Sequence, residues 1–187
     1  GHPVTERAGY QVETNAFWYN AICFAVDMES KYGAKKSTFV SKWSDIRGLV
    51  RENYQKVFWN QDYGCLADHV DNSGQKMDIR PNQLASIWCD YSPIDEDLIP
   101  SILRVVDNEL VTSRGIRTLS PRDSRYKGVY EGTQIERDLA YHQGSTRPFL
   151  LQYYVKVCLR VKGAAFVKKA EWLVEGFYED LGKHGVG

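Results

Sequence analysis

The sequence predicts an all-α fold with long polar loops and, beside them, short β pieces. Three observations carry that prediction. Six segments repeat apolar residues at spacings of three and four, the period of one helix face. Extended patterning is thin and confined to "GCLADHV" and "GIRTLS". Hydrophobic residues make up 43% of 187 positions, enough for a real core.

Taken in order, the first helix is expected after Asn15, a good N-cap, running through Trp18, Ile22, Ala25 and Met28 to Gly33. The second carries Val40, Trp43, Ile46, Val50, Tyr54 and Val57. A short third opens at Pro81, an apt first helical residue, and buries Leu84, Ile87 and Trp88. The fourth has "DED" at its start, favourable to the helix dipole, then Ile99, Ile102, Leu103, Val106 and Leu110. The fifth starts near Pro148, uses Leu150, Tyr153, Tyr154, Val157 and Val161, and stops at Gly163. The last aligns Phe166, Ala170, Leu173, Val174, Phe177 and Leu181 and ends in "LGKHG". Between them, residues 60–80 and 112–147 read as the longest loops, and loops of that length in a compact chain are more often functional than idle. No repeat, low-complexity tract or linker divides the chain, so residues 1–187 read as one segment.

The formal net charge is zero and no Lys/Arg-rich tract occurs, which removes the electrostatic case for nucleic acid or anionic membrane. No apolar run reaches membrane-spanning length; the richest, "AFWYNAICFAV", is broken by Asn20. The four cysteines, Cys23, Cys65, Cys89 and Cys158, form no CxxC pair and have no histidine at metal-ligand spacing. They read as reduced core residues, so a cytoplasmic protein without metal or cofactor is expected.

Aromatic residues reach 13%, with twelve Tyr and five Trp, and such side chains suit sugar rings as well as cores. Three polar clusters stand out. Glu13 lies two residues before Asn15 at an aromatic-rich helix start with Trp18, and a carboxylate there can accept two hydroxyl hydrogen bonds. Arg80, Asn82 and Gln83 flank Pro81 and supply many directed donors, although for Asn82 alone capping or surface solvation is the better explanation. "RDLAYHQGSTRPF", residues 137–149, combines Arg137, Asp138, Tyr141, His142, Gln143 and Gly144 in front of a helix. His142 titrates near neutral pH in isolation, yet a lone histidine is more often a hydrogen-bonded structural group. Gly144 permits a turn or close approach of another group. No phosphate-binding loop, GxSxG elbow or HExxH motif occurs.

Six collinear pieces, "VETNAFWYNAI", "FWN", "DIRPNQL", "GIRTLSP", "YKGVYEG" and "RDLAYHQG", resemble the C-terminal amylo-alpha-1,6-glucosidase domain of glycogen debranching enzymes. The resemblance implies an (α/α)6 toroid, of which six helices make about half, with the active site in polar loops at one end of the ring. It implies an enzyme hydrolysing α-1,6-linked glucose branches of an α-glucan, with Glu13, Asn15, Trp18, Arg80, Asn82, Gln83, Tyr141, His142 and Gln143 holding the sugar. The family carries its catalytic carboxylates in a T-W-M-D segment before this region and an A-E-L/I-x-D segment after it. Hydrolysis needs such a pair, roughly 6.5–9.5 Å apart in inverting enzymes. No catalytic residue is therefore expected within residues 1–187, and a segment cut at both ends is expected to be inactive and prone to self-association through unpaired apolar stripes. After Y-H-Q-G the family continues T-V-W-P-W, whereas this chain has "STRPF", with Arg147 and Phe149 at the tryptophan places. A non-catalytic helical glucan-binding or scaffold domain is the alternative expectation.

Overall fold

The computed structural model describes residues 4–34, 38–179 and 181–183. They form a predominantly helical chain with seven α-helices and eight strands of two or three residues. The helices are α1 (Val12–Tyr32), α2 (Phe39–Phe58), α3 (Ala85–Trp88), α4 (Ile99–Glu109), α5 (Gln134–His142), α6 (Leu151–Lys162) and α7 (Val167–Glu175). The strands are β1 (Tyr10–Gln11), β2 (Trp59–Asn60), β3 (Cys65–Leu66), β4 (His69–Asp71), β5 (Gly74–Lys76), β6 (Val111–Thr112), β7 (Gly115–Arg117) and β8 (Thr146–Arg147). Short 3-10 turns lead into α3, α4, α6 and α7. No helix among the described residues is long and apolar enough to cross a membrane.

The chain divides into two compact units. The first comprises residues 8–77 and 82–102. Here α1 buries Val12, Ala16, Tyr19, Ile22, Cys23 and Val26, one stripe at helical spacing, and packs beside α2 and α3. The apolar stripe read on α2 is only half-buried, with Tyr54 its one buried member and Phe58 buried beside it. The Tyr54 hydroxyl reaches back to the Val12 carbonyl at 2.9 Å. The start of α1 is not capped by Asn15, as expected from sequence. Gln11 is the N-cap, Asn15 lies inside the helix, and its Nδ2 donates to the Gln11 carbonyl at 2.8 Å. Pairing explains the difference. Tyr10 and Gln11 face Val70 and His69 in a β1–β4–β5 sheet, and the Val12 amide then donates to the Asp68 carbonyl at 3.1 Å. A distant backbone oxygen thus satisfies a donor that a cap would otherwise serve. Gly9 is required at the entry, because at φ +80 a Cβ would collide with the Val70 carbonyl.

The second unit comprises residues 4–7, 78–81 and those described from Leu103 onward. Its core joins Leu103, Val106 and Leu110 with Ile116, Leu119, Tyr154, Val157, Cys158, Phe166 and Leu173, all buried. Tyr154 donates to Asp107 at 2.8 Å, and Lys169 pairs with the same carboxylate. The sheet β6–β7–β8 places Ile116 opposite both Val111 and Arg147. Helix α6 begins after Pro148 and ends at Gly163, whose φ of +56 suits glycine. The last two residues of "LGKHG" lie outside the described residues.

The sequence reading placed residues 112–147 in one loop before a helix. That is corrected here: α5 occupies Gln134–His142. Thr133 accepts from the Glu136 amide and Glu136 accepts from the Thr133 amide, a complete capping box. Arg137 and Asp138 accordingly serve their own helix turn. Arg137 donates to the Gly132 carbonyl and to Gln134, and Asp138 accepts from Gln134. Both extended pieces read from sequence do form strands, and all four cysteines are buried thiols.

Candidate functional site

In the second unit, the polar stretches gather around one guanidinium. Arg80 is 4% exposed. Its Nη1 donates to the carbonyls of Thr118 at 3.1 Å and His142 at 2.7 Å, and its Nη2 to Gln143 Oε1 at 2.7 Å. Asp78 balances the charge, with Oδ2 3.5 Å from Arg80 Nε and Oδ1 2.7 Å from Arg125 Nη2. Arg125 also grips Asp123, and those hydrogen bonds hold the Asp123 carboxyl below the usual carboxylate value. A buried guanidinium is tolerated only when its donors are matched in this way. Gln143, also buried, spends its Oε1 on Arg80 and its Nε2 on the Val4 carbonyl at 3.0 Å.

This frame sets the end of α5. Gly144 follows with φ +149, donates to Thr118 Oγ1 at 2.9 Å, and leaves room for the Tyr126 ring, which a Cβ would meet at 2.6 Å. Tyr141 and His142 stay exposed, their rings 4.8 Å apart and edge-on. The Tyr130 ring stands 6.2 Å from Tyr141. Partial burial, then the charges of Arg147 and Arg80, push the His142 pKa below its ordinary value and so favour the neutral imidazole. A neutral imidazole offers one donor and one acceptor, suited to a hydroxyl.

In the first unit, Glu13 occupies the first turn of α1, where a carboxylate is favoured by the helix dipole. Asn15 and Trp18 line a cleft of about 340 Å³ with Tyr10, Leu49, Asn53 and Tyr54. Trp18 is half-exposed and packs edge-on against Trp43 at 6.0 Å. Asn82 donates to Asp68 Oδ1 at 2.7 Å, while His69 Nδ1 stands 3.4 Å from Asp68 Oδ2. Gln83 is buried and its Oε1 accepts from the Leu66 amide at 3.4 Å. The structure therefore groups Arg80, Tyr141, His142 and Gln143 in one unit, and Glu13, Asn15, Trp18, Asn82 and Gln83 in the other.

Sequence reasoning missed Asp68 and His69, both buried, and the bridging Asp78. "GCLADHV" carried the signal for the first two, an acid and a histidine inside an apolar extended run. No group of three His, Cys, Asp or Glu side chains suited to a metal ion occurs among the described residues.

These features define the class first: a predominantly helical fold whose loop–helix junctions are built on directed polar side chains. That fold is shared with neutral trehalase from Saccharomyces cerevisiae, at a TM-score of 0.56 and 13% identity, over 93% of this chain and 38% of that one. At such identity the likeness concerns the fold alone. The chain belongs to the amylo-alpha-1,6-glucosidase family, whose sequence profile matches residues 1–187, and so to a family of glycoside hydrolases. A glycogen debranching enzyme of Saccharomyces cerevisiae is 24% identical over 225 aligned positions, covering 98% of this chain. The chain spans 15% of that relative's length.

Proposed function

We propose that the parent protein hydrolyses α-1,6-glucosidic branch linkages in a glycogen-like α-glucan. On this reading residues 1–187 supply about half of an (α/α)6 toroid and part of its sugar-holding surface. The observation that carries the reading is the convergence on Arg80: "DIRPNQL", "GIRTLSP" and "RDLAYHQG" meet at one buried guanidinium. Stretches 38 to 63 positions apart are thereby held in one geometry, and orientation is what a glycosidase pocket needs.

In the second unit, Tyr141 and His142 present polar groups to glucosyl hydroxyls, and Arg80 and Gln143 fix them in place. In the first, Glu13, Asn15 and Trp18 provide a carboxylate, an amide and an aromatic ring, with Asn82 and Gln83 anchoring the loop–helix junction. None of these nine is assigned proton transfer to the glycosidic bond. The family's two carboxylates belong to neighbouring segments, so the isolated chain binds α-glucan or a branched oligosaccharide without cleaving it. Exposed apolar residues on α7 and just after it, including Trp172, Val174 and Tyr178, support self-association of the isolated segment.

The test compares glucose release from a branched limit dextrin by the parent protein and by residues 1–187. Release by the parent and none by the segment is expected. A parent that binds the dextrin but frees no glucose would instead establish the non-catalytic glucan-binding alternative.

A further inference from the structure

Arg147 lies over the exposed ring of Tyr141. Its guanidinium carbon is 3.1 Å from the ring centroid, and its Nη2 donates to the Tyr141 carbonyl at 3.0 Å. A sugar stacks on an aromatic side chain by laying its C–H face on the ring, the place the guanidinium already occupies. That face of Tyr141 is therefore closed. The rings of His142 at 4.8 Å and Tyr130 at 6.2 Å stand beside it at steep angles.

The backbone keeps Arg147 there. Its residue pairs with Ile116 across β7 and β8, and Gly115, at φ +133, lets the Arg147 carbonyl approach to a distance no Cβ would allow. The carbonyl of Tyr141 anchors the head, so the side chain is held at both ends. A guanidinium carries five N–H donors in one plane, while a tryptophan ring at this place would offer a stacking surface and one donor.

We propose that Arg147 is a specificity residue. It replaces stacking on Tyr141 by in-plane hydrogen bonding, so this part of the site recognises the hydroxyl edge of a neutral α-glucan unit and not its apolar face. The assignment rests on the sugar-site reading above and adds the mode of recognition to it.

The experiment titrates isomaltose into the 187-residue chain as wild type, Arg147→Ala and Arg147→Lys, following sugar C–H resonances and protein amides by NMR. The amide spectrum of each variant reports its fold, and the lysine form, with charge and stem retained, serves if the alanine form does not fold. Wild type is expected to bind with movement of the Arg147 Nε–H resonance and no upfield ring-current shift of the sugar. Arg147→Ala opens the Tyr141 face, so upfield-shifted sugar C–H resonances appear and Kd changes roughly threefold or more. Arg147→Lys gives an intermediate upfield shift. Ring-current shifts already present in wild type, or identical sugar spectra and Kd in all three forms, would overturn the assignment of Arg147 alone. Absence of binding by every folded form would overturn the sugar-site reading and this assignment together.

Discussion

Arg80 Nη2 donates to Gln143 Oε1 over 2.7 Å, joining residues 63 positions apart in sequence through side chains that are both buried. The bond ties the segment before Pro81 to the end of α5, the helix that carries Tyr141 and His142 to the surface.

Arg80→Ala removes a buried cation and strands the Thr118 and His142 carbonyls with the Gln143 amide oxygen. Hydrogen bonds to a charged group and the cost of unpaired buried acceptors together set a loss of roughly 3 kcal/mol. Arg80→Lys is expected to recover little, because one ammonium cannot reproduce a planar fork. Urea unfolding monitored by tryptophan fluorescence gives the midpoints. A midpoint of Arg80→Ala equal to that of wild type would disprove the clamp.

Two glycines are expected to respond in opposite directions. Gly144→Ala places a Cβ 2.6 Å from the Tyr126 ring and 2.8 Å from the Lys127 carbonyl, at a φ of +149 that L residues rarely adopt. A loss of about 2 kcal/mol is expected. Gly48 lies inside α2 with nothing within 4 Å of its added Cβ, so Gly48→Ala gains roughly 0.5–1 kcal/mol. Thermal unfolding of the two variants checks the signs.

Thr133→Ala breaks the capping box that starts α5. Faster hydrogen exchange is expected at the Glu136 amide, which loses its side-chain acceptor, and along the following turn. Because α5 also carries Tyr141, weaker binding of isomaltose should accompany the fraying. Unchanged exchange at Glu136 would show that tertiary packing alone holds the helix.

His142 is expected to titrate below 6.5, because burial, then Arg147 and Arg80, oppose its charging more than Asp138 favours it. A depressed histidine pKa means that the unfolded chain binds the proton more readily. Its contribution to stability is full above the unfolded value and declines as pH falls through 6.5 toward the folded one. Arg147→Ala should raise the midpoint, read from the His142 ring protons by NMR. A midpoint that stays put in the variant would place Arg147 away from the imidazole.

Most of the helical framework was legible because apolar residues recur at spacings of three and four along the long helices, in a buried stripe on α1 and a half-buried one on α2. Ile99, Ile102, Leu103, Val106 and Leu110, all read as one face, are all buried. Pro148 and Gly163 bracket a helix because one lacks a donor that position does not need and the other takes a positive φ. Helix α5 escaped because it is nine residues long and buries only Ala140, leaving no apolar stripe to read. Its signal was local, Thr133 three residues before Glu136. Asn15 misled for the opposite reason: its type suits a cap, but strand pairing at Tyr10 and Gln11 moves the helix start upstream.

The candidate site divides the same way. Residue types and their order, "DIRPNQL" before "GIRTLSP" before "RDLAYHQG", are properties of the chain and sufficed to indicate the family. Which side chains are consumed by the protein and which face outward is a matter of tertiary structure. Arg80 and Gln143 turn inward onto carbonyls and each other, while Tyr141 and His142 remain at the surface. The presence of Arg147 after Gly144 was visible in one dimension, but its position over Tyr141 was not, since it depends on the pairing of β7 with β8. Sequence determines local periodicity and donor inventory; only the fold decides partners, because burial forces each polar group to take the acceptor or donor that packing brings within reach.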